Sequence, residues 1–290
     1  MKIRGNQIKQ VIDFFHEELD AIFGKEEVEQ FIYLSFNHFH NFSRIDLLQN
    51  KENRLSESEL LKYNFVVKDL KKHRPIQYIL GYTWFYDLKI LVNDSVLIPR
   101  PETELLVQWI LNDVKAINNL VIVDVCTGSG CIALAIKNNL KTANVSAIDV
   151  SVEALKMAKQ NATNLKLEVS FIELDVLKSN FSLQFLANSL DVIVSNPPYV
   201  KQSEKSLMQA NVLDYEPHLA LFVDDEDALL FYRVIAQQAK NVLKTAGKLY
   251  FEINEALAND VIDLLKKEGF TNIELRKDLQ GKDRMIKCEK

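Results

Sequence analysis

Four consecutive residues, Asn196-Pro197-Pro198-Tyr199, follow an apolar run over 190–195 that reads as a buried strand. Adjacent prolines fix φ at both positions and leave carbonyls for which no local N–H competes. The loop is a stiff set of acceptors. An amide or exocyclic amine nitrogen is a poor nucleophile because its lone pair is delocalised. A loop that takes both hydrogens of such a nitrogen, on the Asn196 side-chain oxygen and the Pro197 carbonyl, can hold that lone pair toward an incoming methyl group. Tyr199 would lie flat against the planar amide or base. A sulfonium donor leaves as a neutral thioether, so alignment can supply most of the acceleration without a catalytic acid or base. The plainer alternative is a rigid surface turn. Its place at a strand's carboxyl end, where open α/β sheets put their ligands, speaks against that.

A second signal is Asp124-Val125-Cys126-Thr127-Gly128-Ser129-Gly130, which follows a buried-type strand and opens a helix. Gly128 and Gly130 permit a tight turn and a close approach of main chain to ligand, and Asp124 would orient the loop through its amides. Nineteen residues past Gly130, Asp149 ends the next strand, where a carboxylate can accept from both ribose hydroxyls. An ordinary strand-to-helix turn is the bland alternative. Three positions past Gly130 stands Ala133, and no glycine follows before Gly247. The dinucleotide fingerprint is therefore incomplete, and adenosine without a pyrophosphate fits better, as in S-adenosylmethionine.

These loops need a scaffold. From Leu120 onward strands and helices alternate: strands at 120–125, 144–150, 169–174, 190–196 and 247–253, helices from about Cys131 to Leu140, Phe231 to Leu243 and Asn259 to Glu268, and a strand pair over 272–288. That alternation predicts parallel α/β. Pro101 suits a first helical turn, with Glu102 and Glu104 at its positive end, and predicts a helix to about Asn118. Aromatic and β-branched residues around Tyr86 and Asp87 predict a hairpin. Residues 6–73 carry helical periodicity, and Ser56 before Glu59 is a capping-box spacing. Residues 1–75 thus read as a helical bundle.

Composition bounds the function. With 290 residues, 48% of them hydrophobic, the chain can bury about two cores. Residues 1–75 balance twelve Lys+Arg against twelve Asp+Glu, so the net −5 lies wholly in the remainder, the wrong sign for a nucleic-acid partner. Cys126, Cys131 and Cys288 have neither disulfide nor zinc spacing, and His38, His40, His73 and His218 show no metal spacing, so no metal is expected. No apolar run reaches the length of a membrane span and the first residues lack a signal-peptide pattern, which predicts a cytoplasmic protein. Nothing in the sequence demands an oligomer. The basic cluster Lys68, Lys71, Lys72, His73 and Arg74 reads as a solvated helix face. Arg100 and Glu102 could line a cleft or cap their helix, and Tyr215-Glu216-Pro217 could meet a substrate backbone or form a turn.

Taken together, the Asp124–Gly130 loop, Asp149 and Asn-Pro-Pro-Tyr resemble a class I S-adenosylmethionine-dependent methyltransferase acting on nitrogen. RPIQYILG (74–81), VLIPRPETE (96–104) and YEPHLALF (215–222) narrow the resemblance to the HemK/PrmC family of peptide chain release factor glutamine methyltransferases, over essentially the whole chain. The resemblance implies an α/β, Rossmann-like, seven-stranded mixed sheet with one antiparallel strand, and an N-terminal helical bundle joined by a β-hairpin. Residues 1–75 would be the substrate-recognition domain, 76–100 the hairpin linker and 101–290 the methyltransferase domain. The implied reaction is N5-methylation of the glutamine in the Gly-Gly-Gln motif of class 1 release factors.

Carried over by position, Thr127, Gly128, Ser129 and Gly130 would bound the methionine part of S-adenosylmethionine, with Asp124 and Cys126 in the same loop. Asp149 would hold the ribose, and Asp175 and Val176 would border the adenine. Asn196, Pro197, Pro198 and Tyr199 would take the glutamine amide, with Asn196 also at the cofactor's edge. The chain departs from the family pattern at Cys126, which stands where a first glycine is usual, at VDDEDALLFYR after Phe222, and at EINEAL, which lacks an expected glycine. Two competitors share parts of this pattern. An adenine-N6 or guanine-N2 methyltransferase would use the same loop on a flipped base, but the charge is wrong and no basic, aromatic-rich target domain is present. A non-catalytic adenosine-binding scaffold would have a degenerate acceptor loop, whereas all four residues are intact.

Overall fold

The computed structural model describes residues 3–290, and the chain divides into two compact units, 1–81 with 209–215, and 82–208 with 216–290. The first unit contains α1 (Ile8–Phe23), α2 (Lys25–His40), α3 (Arg44–Gln49), α4 (Glu57–Leu70) and α5 (Ile76–Leu80). The helix starts are encoded locally. Ser56 accepts from the Glu59 amide at 3.3 Å while Glu59 accepts from the Ser56 amide at 2.7 Å, so two amides otherwise left without partners are satisfied reciprocally. Gly24, at φ 80°, turns the chain between α1 and α2 in a region other residues avoid. Val11, Phe15, Leu19, Phe36, Tyr63 and Leu70 are fully buried, and Tyr63 packs on Phe36 with ring centroids 4.5 Å apart. Tyr215 closes residues 209–215 onto this unit by donating from its hydroxyl to the Lys72 carbonyl at 2.6 Å.

The second unit opens with the hairpin β1 (Tyr82–Phe85) and β2 (Leu88–Leu91), turned by Tyr86 and Asp87, both left-handed at φ 48° and 62°. Two such residues match the strands' own twist. There follow α6 (Pro101–Val114), β3 (Val121–Val125), α7 (Cys131–Asn139), β4 (Asn144–Asp149), α8 (Val152–Leu165), β5 (Ser170–Glu173), β6 (Leu190–Ser195) and β7 (Val200–Lys201). The chain then contributes α9 (Ala210–Leu213) to the first unit, and the second ends through α10 (His218–Leu221), β8 (Phe222–Val223), α11 (Leu230–Val242), β9 (Leu243–Glu252), α12 (Ala258–Lys267), β10 (Thr271–Lys277) and β11 (Asp283–Glu289). The helix expected to reach Asn118 stops at Val114, because Ile117 is half exposed and gives a further turn no core to cover.

Seven strands form one mixed sheet in the order β10-β11-β9-β6-β3-β4-β5, with β11 antiparallel to both neighbours and the pairs from β9 to β5 parallel. Alternate residues serve opposite faces: Tyr250 meets Trp109 of α6, whereas Phe251 meets Tyr232 of α11. Covered on both faces, the strands are continuous apolar runs, with Ile122, Val123, Val125, Ile193 and Val194 entirely inaccessible. After β3 the chain builds outward through β4 and β5, then returns to lay β6 on β3's other side. That reversal opens a crevice at the carboxyl ends of β3 and β6.

Candidate active site

Both chemically informative loops spring from that crevice. Val125 and Ser195 pair at the ends of β3 and β6, and the Ser195 hydroxyl donates to the Val125 carbonyl at 2.6 Å. Beyond them lies a cavity of about 200 Å³, partly open to solvent. Cys126, Thr127, Gly128, Ser129, Asp149, Asp175, Val176, Asn196 and Pro198 line it.

The loop after β3 is wound tightly: Cys126, Gly128 and Gly130 all have positive φ, at 63°, 55° and 81°. Gly128 is required by conformation, and a side chain there would project into open space. At Gly130 a Cβ would come within 3.1 Å of the Ala158 Cβ and 3.3 Å of a Leu134 methyl, so this glycine lets α7 and α8 close on each other. Cys126 adopts the same backbone region with a side chain, the strained solution to the missing glycine. Burial pushes its thiol well above the ordinary range, so it remains protonated.

Asp124 and Asp149 divide the work of holding this loop. Asp124 is fully buried and does not line the cavity; one of its oxygens accepts from the Thr127 hydroxyl at 2.5 Å and the Ala133 amide at 3.2 Å. Burial pushes its carboxyl up to about 7, against the pull of those two bonds. Asp149 reaches the cavity wall, accepting from the Gly128 amide at 2.8 Å and the Ser151 amide at 2.9 Å. Its carboxylate only accepts hydrogen bonds, which is what the two hydroxyls of a vicinal diol require of a partner. Burial raises this carboxyl too. Val176, with Val150 and Leu177, makes an apolar wall beside Asp175, whose carboxylate accepts from the Leu177 amide at 3.0 Å. Glycine backbone, carboxylate and apolar wall thus share one cavity. Among the described residues no His, Cys, Asp and Glu cluster gathers that could hold a metal ion.

The loop after β6 is split in its exposure. Asn196 and Pro198 line the cavity, both prolines are buried, and Tyr199 packs against the hydrophobic core under the sheet. The Tyr199 ring, expected to lie on a planar substrate group, is anchored instead by its hydroxyl, which donates to Glu252 at 3.1 Å. The same carboxylate accepts from the Thr103 hydroxyl at 2.6 Å, and Thr103 in turn accepts from the Asn196 side-chain amide at 3.4 Å. Asn254, one strand end further, donates to the Tyr199 carbonyl at 3.3 Å. Burial raises the Glu252 carboxyl, and the Thr103 and Tyr199 hydroxyls oppose that rise.

The structure adds residues that sequence reasoning did not place in the site. Thr103 was visible only as part of a motif. A lone Glu in the apolar strand run at 249–253 marks Glu252 as a buried acid needing partners, which is a usable signal. Arg100 and Glu216, left open between structural and functional readings, bond at 2.5 Å, and Glu216 also accepts from the Ile98 amide at 3.2 Å. This fastens the segment 95–100 to Pro217, Leu219 and Ala220, and both stretches line the cavity.

Comparison with known proteins gives a consistent picture. Residues 101–219 match the model of the methyltransferase small domain, and residues 17–81 that of the PrmC N-terminal domain. The chain is 46% identical to a release factor glutamine methyltransferase of Flavobacterium psychrophilum, over 97% of this chain and 98% of the relative. It is 40% identical to one of Bacteroides thetaiotaomicron, over 96% and 99% respectively. Among solved structures it resembles a methyltransferase from Pyrococcus furiosus, with a TM-score of 0.50 and 17% identity over 70% of this chain and 88% of that one. This last likeness concerns the fold alone.

Proposed function

Because the chain belongs to the release factor glutamine methyltransferase family, we propose that it methylates the side-chain amide nitrogen of the Gly-Gly-Gln glutamine in class 1 release factors. S-adenosylmethionine is the methyl donor. The observation that carries this reading is the register of Val125 with Ser195, which brings the glycine loop and Asn196 onto one cavity.

Cys126, Thr127, Gly128, Ser129 and Gly130 would surround the methionine portion of the donor, with Asp124 holding the loop from beneath. Asp149 would take the ribose hydroxyls, and Asp175 and Val176 the adenine. Bound S-adenosylmethionine supplies an electrophilic methyl on a sulfonium centre. The chain's own contribution is alignment. Asn196 through its oxygen and Pro197 through its carbonyl accept the two hydrogens of the glutamine amide, turning its nitrogen toward the cavity. Pro198 stiffens the loop, and Tyr199 fixes its far end to Glu252. The 95–100 and 217–220 segments screen the donor from water.

The helical unit would contact the release factor, and the enzyme would work in the cytoplasm as a monomer. No helix among the described residues is long and apolar enough to cross a membrane. The test is transfer of label from methyl-labelled donor to a recombinant release factor, its Gln→Ala variant in the Gly-Gly-Gln loop, and total nucleic acid. Label is expected on the unaltered release factor alone; label on the variant, or only on nucleic acid, refutes the assignment.

A further inference from the structure

We infer that Glu252 is a positioning residue that decides which end of the Asn196 carboxamide faces the substrate, acting through Thr103. The inference deepens the reading above and rests on it. Glu252 is 1% exposed and makes no ion pair among the described residues; its side chain accepts from two hydroxyls, those of Thr103 and Tyr199. Each of its two side-chain oxygens accepts one of these bonds. Each hydroxyl has one hydrogen, and each directs it at Glu252. Thr103 therefore meets Asn196 with a lone pair, and only the amino end of the carboxamide can answer it, as the 3.4 Å contact from Asn196 Nδ2 to Thr103 Oγ1 records.

The Asn196 oxygen is then left as the free end. An amide nucleophile offers two N–H groups, so an exposed oxygen binds it, whereas an exposed NH₂ repels it. Released from Glu252, the Thr103 hydroxyl would donate to the Asn196 oxygen instead and leave the NH₂, the unproductive end, facing the substrate. Glu252 does not line the cavity, which separates this role from substrate contact. The chain of bonds spans residues far apart in sequence: Thr103 to Glu252 is a separation of 149 and Asn196 to Thr103 of 93. The ends of β6 and β9 and the first turn of α6 thus act as one frame for the loop.

The test is a rescue experiment in the labelling assay, run beside the unaltered chain, with unfolding temperatures recorded. Glu252→Met keeps length and frees the Thr103 hydrogen. It should lower kcat on the order of 100-fold while donor affinity stays within about threefold. Asn196→Asp alone sets two carboxylates competing for the one Thr103 hydrogen and should also be slow. The double variant Glu252→Met, Asn196→Asp restores an acceptor on both sides and should run at least about tenfold faster than Glu252→Met, a non-additivity that a merely structural glutamate would not produce. Thr103→Val, which removes the bridge while Glu252 keeps its bond from Tyr199, should lose kcat comparably and serves if Glu252→Met does not fold. A wild-type chain that labels no release-factor glutamine overturns the functional reading and this inference with it. An active wild type beside an unchanged Thr103→Val, or beside a double variant no faster than Glu252→Met, overturns this inference alone.

Discussion

Ser195 and Val125, 70 residues apart in the chain, stand in register at the ends of adjacent parallel strands, joined by a buried 2.6 Å hydrogen bond from side chain to carbonyl. Both loops of the site begin one residue later. The bond therefore helps set the distance between the 126–130 loop and the 196–199 loop.

Ser195→Ala should destabilise the protein by about 1–3 kcal/mol, because the Val125 carbonyl stays buried without that donor. Calorimetry should register this as a drop in Tm of roughly 2–4 °C per kcal/mol. Turnover should fall more than donor affinity, since the two half-sites lose alignment while each stays intact. An unchanged Tm would mean the carbonyl finds another partner.

Cys126 holds a left-handed backbone at φ 63°. Cys126→Gly should be tolerated, whereas Cys126→Val, with its branched Cβ, should cost about 1–3 kcal/mol in urea unfolding. Equal stability of the two variants would show that the turn relaxes to another conformation.

Asp124 gives the unliganded protein a pH-dependent stability of unusual sign. Its carboxyl is raised in the folded state, to about 7 from an ordinary 3.8, so its stabilising contribution is complete below about pH 4 and is lost as pH rises through 7. Asp124→Asn can still accept from Thr127 and Ala133 but cannot ionise. Wild type should therefore gain stability relative to Asp124→Asn as pH falls from 8 to 5, measured by urea titration at each pH. A difference between the two that does not vary over this range would place the titration elsewhere.

Glu216, 3% exposed, holds Arg100 and the Ile98 amide at the rim of the cavity. Glu216→Ala should free the 95–100 and 217–220 segments and weaken binding of the donor or its demethylated product by about tenfold, read by isothermal titration. Binding at wild-type strength would show that this tie is dispensable for the cavity wall.

Sequence periodicity carried the strand-and-loop plan well, because β3 and β6 are buried on both faces and each ends at a loop of unmistakable chemistry. Asp149 was legible from its position at a strand end, and the hairpin from Tyr86 and Asp87. Helix α8 was not: its buried residues are mainly small, Ala154, Ala158 and Ala162 beside Leu155 and Asn161, so no stripe of large apolar side chains marks it. The first residues of β9 were missed for a related reason, since Lys244, Thr245 and Ala246 carry no strand signature. Thr103, Glu252, Arg100 and Glu216 belong to pairs separated by more than a hundred residues, which no spacing rule links. The inward turn of Tyr199 depends on Glu252, and so was equally hidden.

Residues 209–215 count with the helical unit although their flanks on both sides belong to the other. The polypeptide consequently passes between the units three times, and a single crossover cannot exchange one helical unit for a relative's. A chimera joined only near Gly81 would pair foreign helices with a native Tyr215 reaching for the Lys72 carbonyl. Exchange of the helical unit must then carry two stretches of gene at once, and drift in either one selects for a matching change in the other.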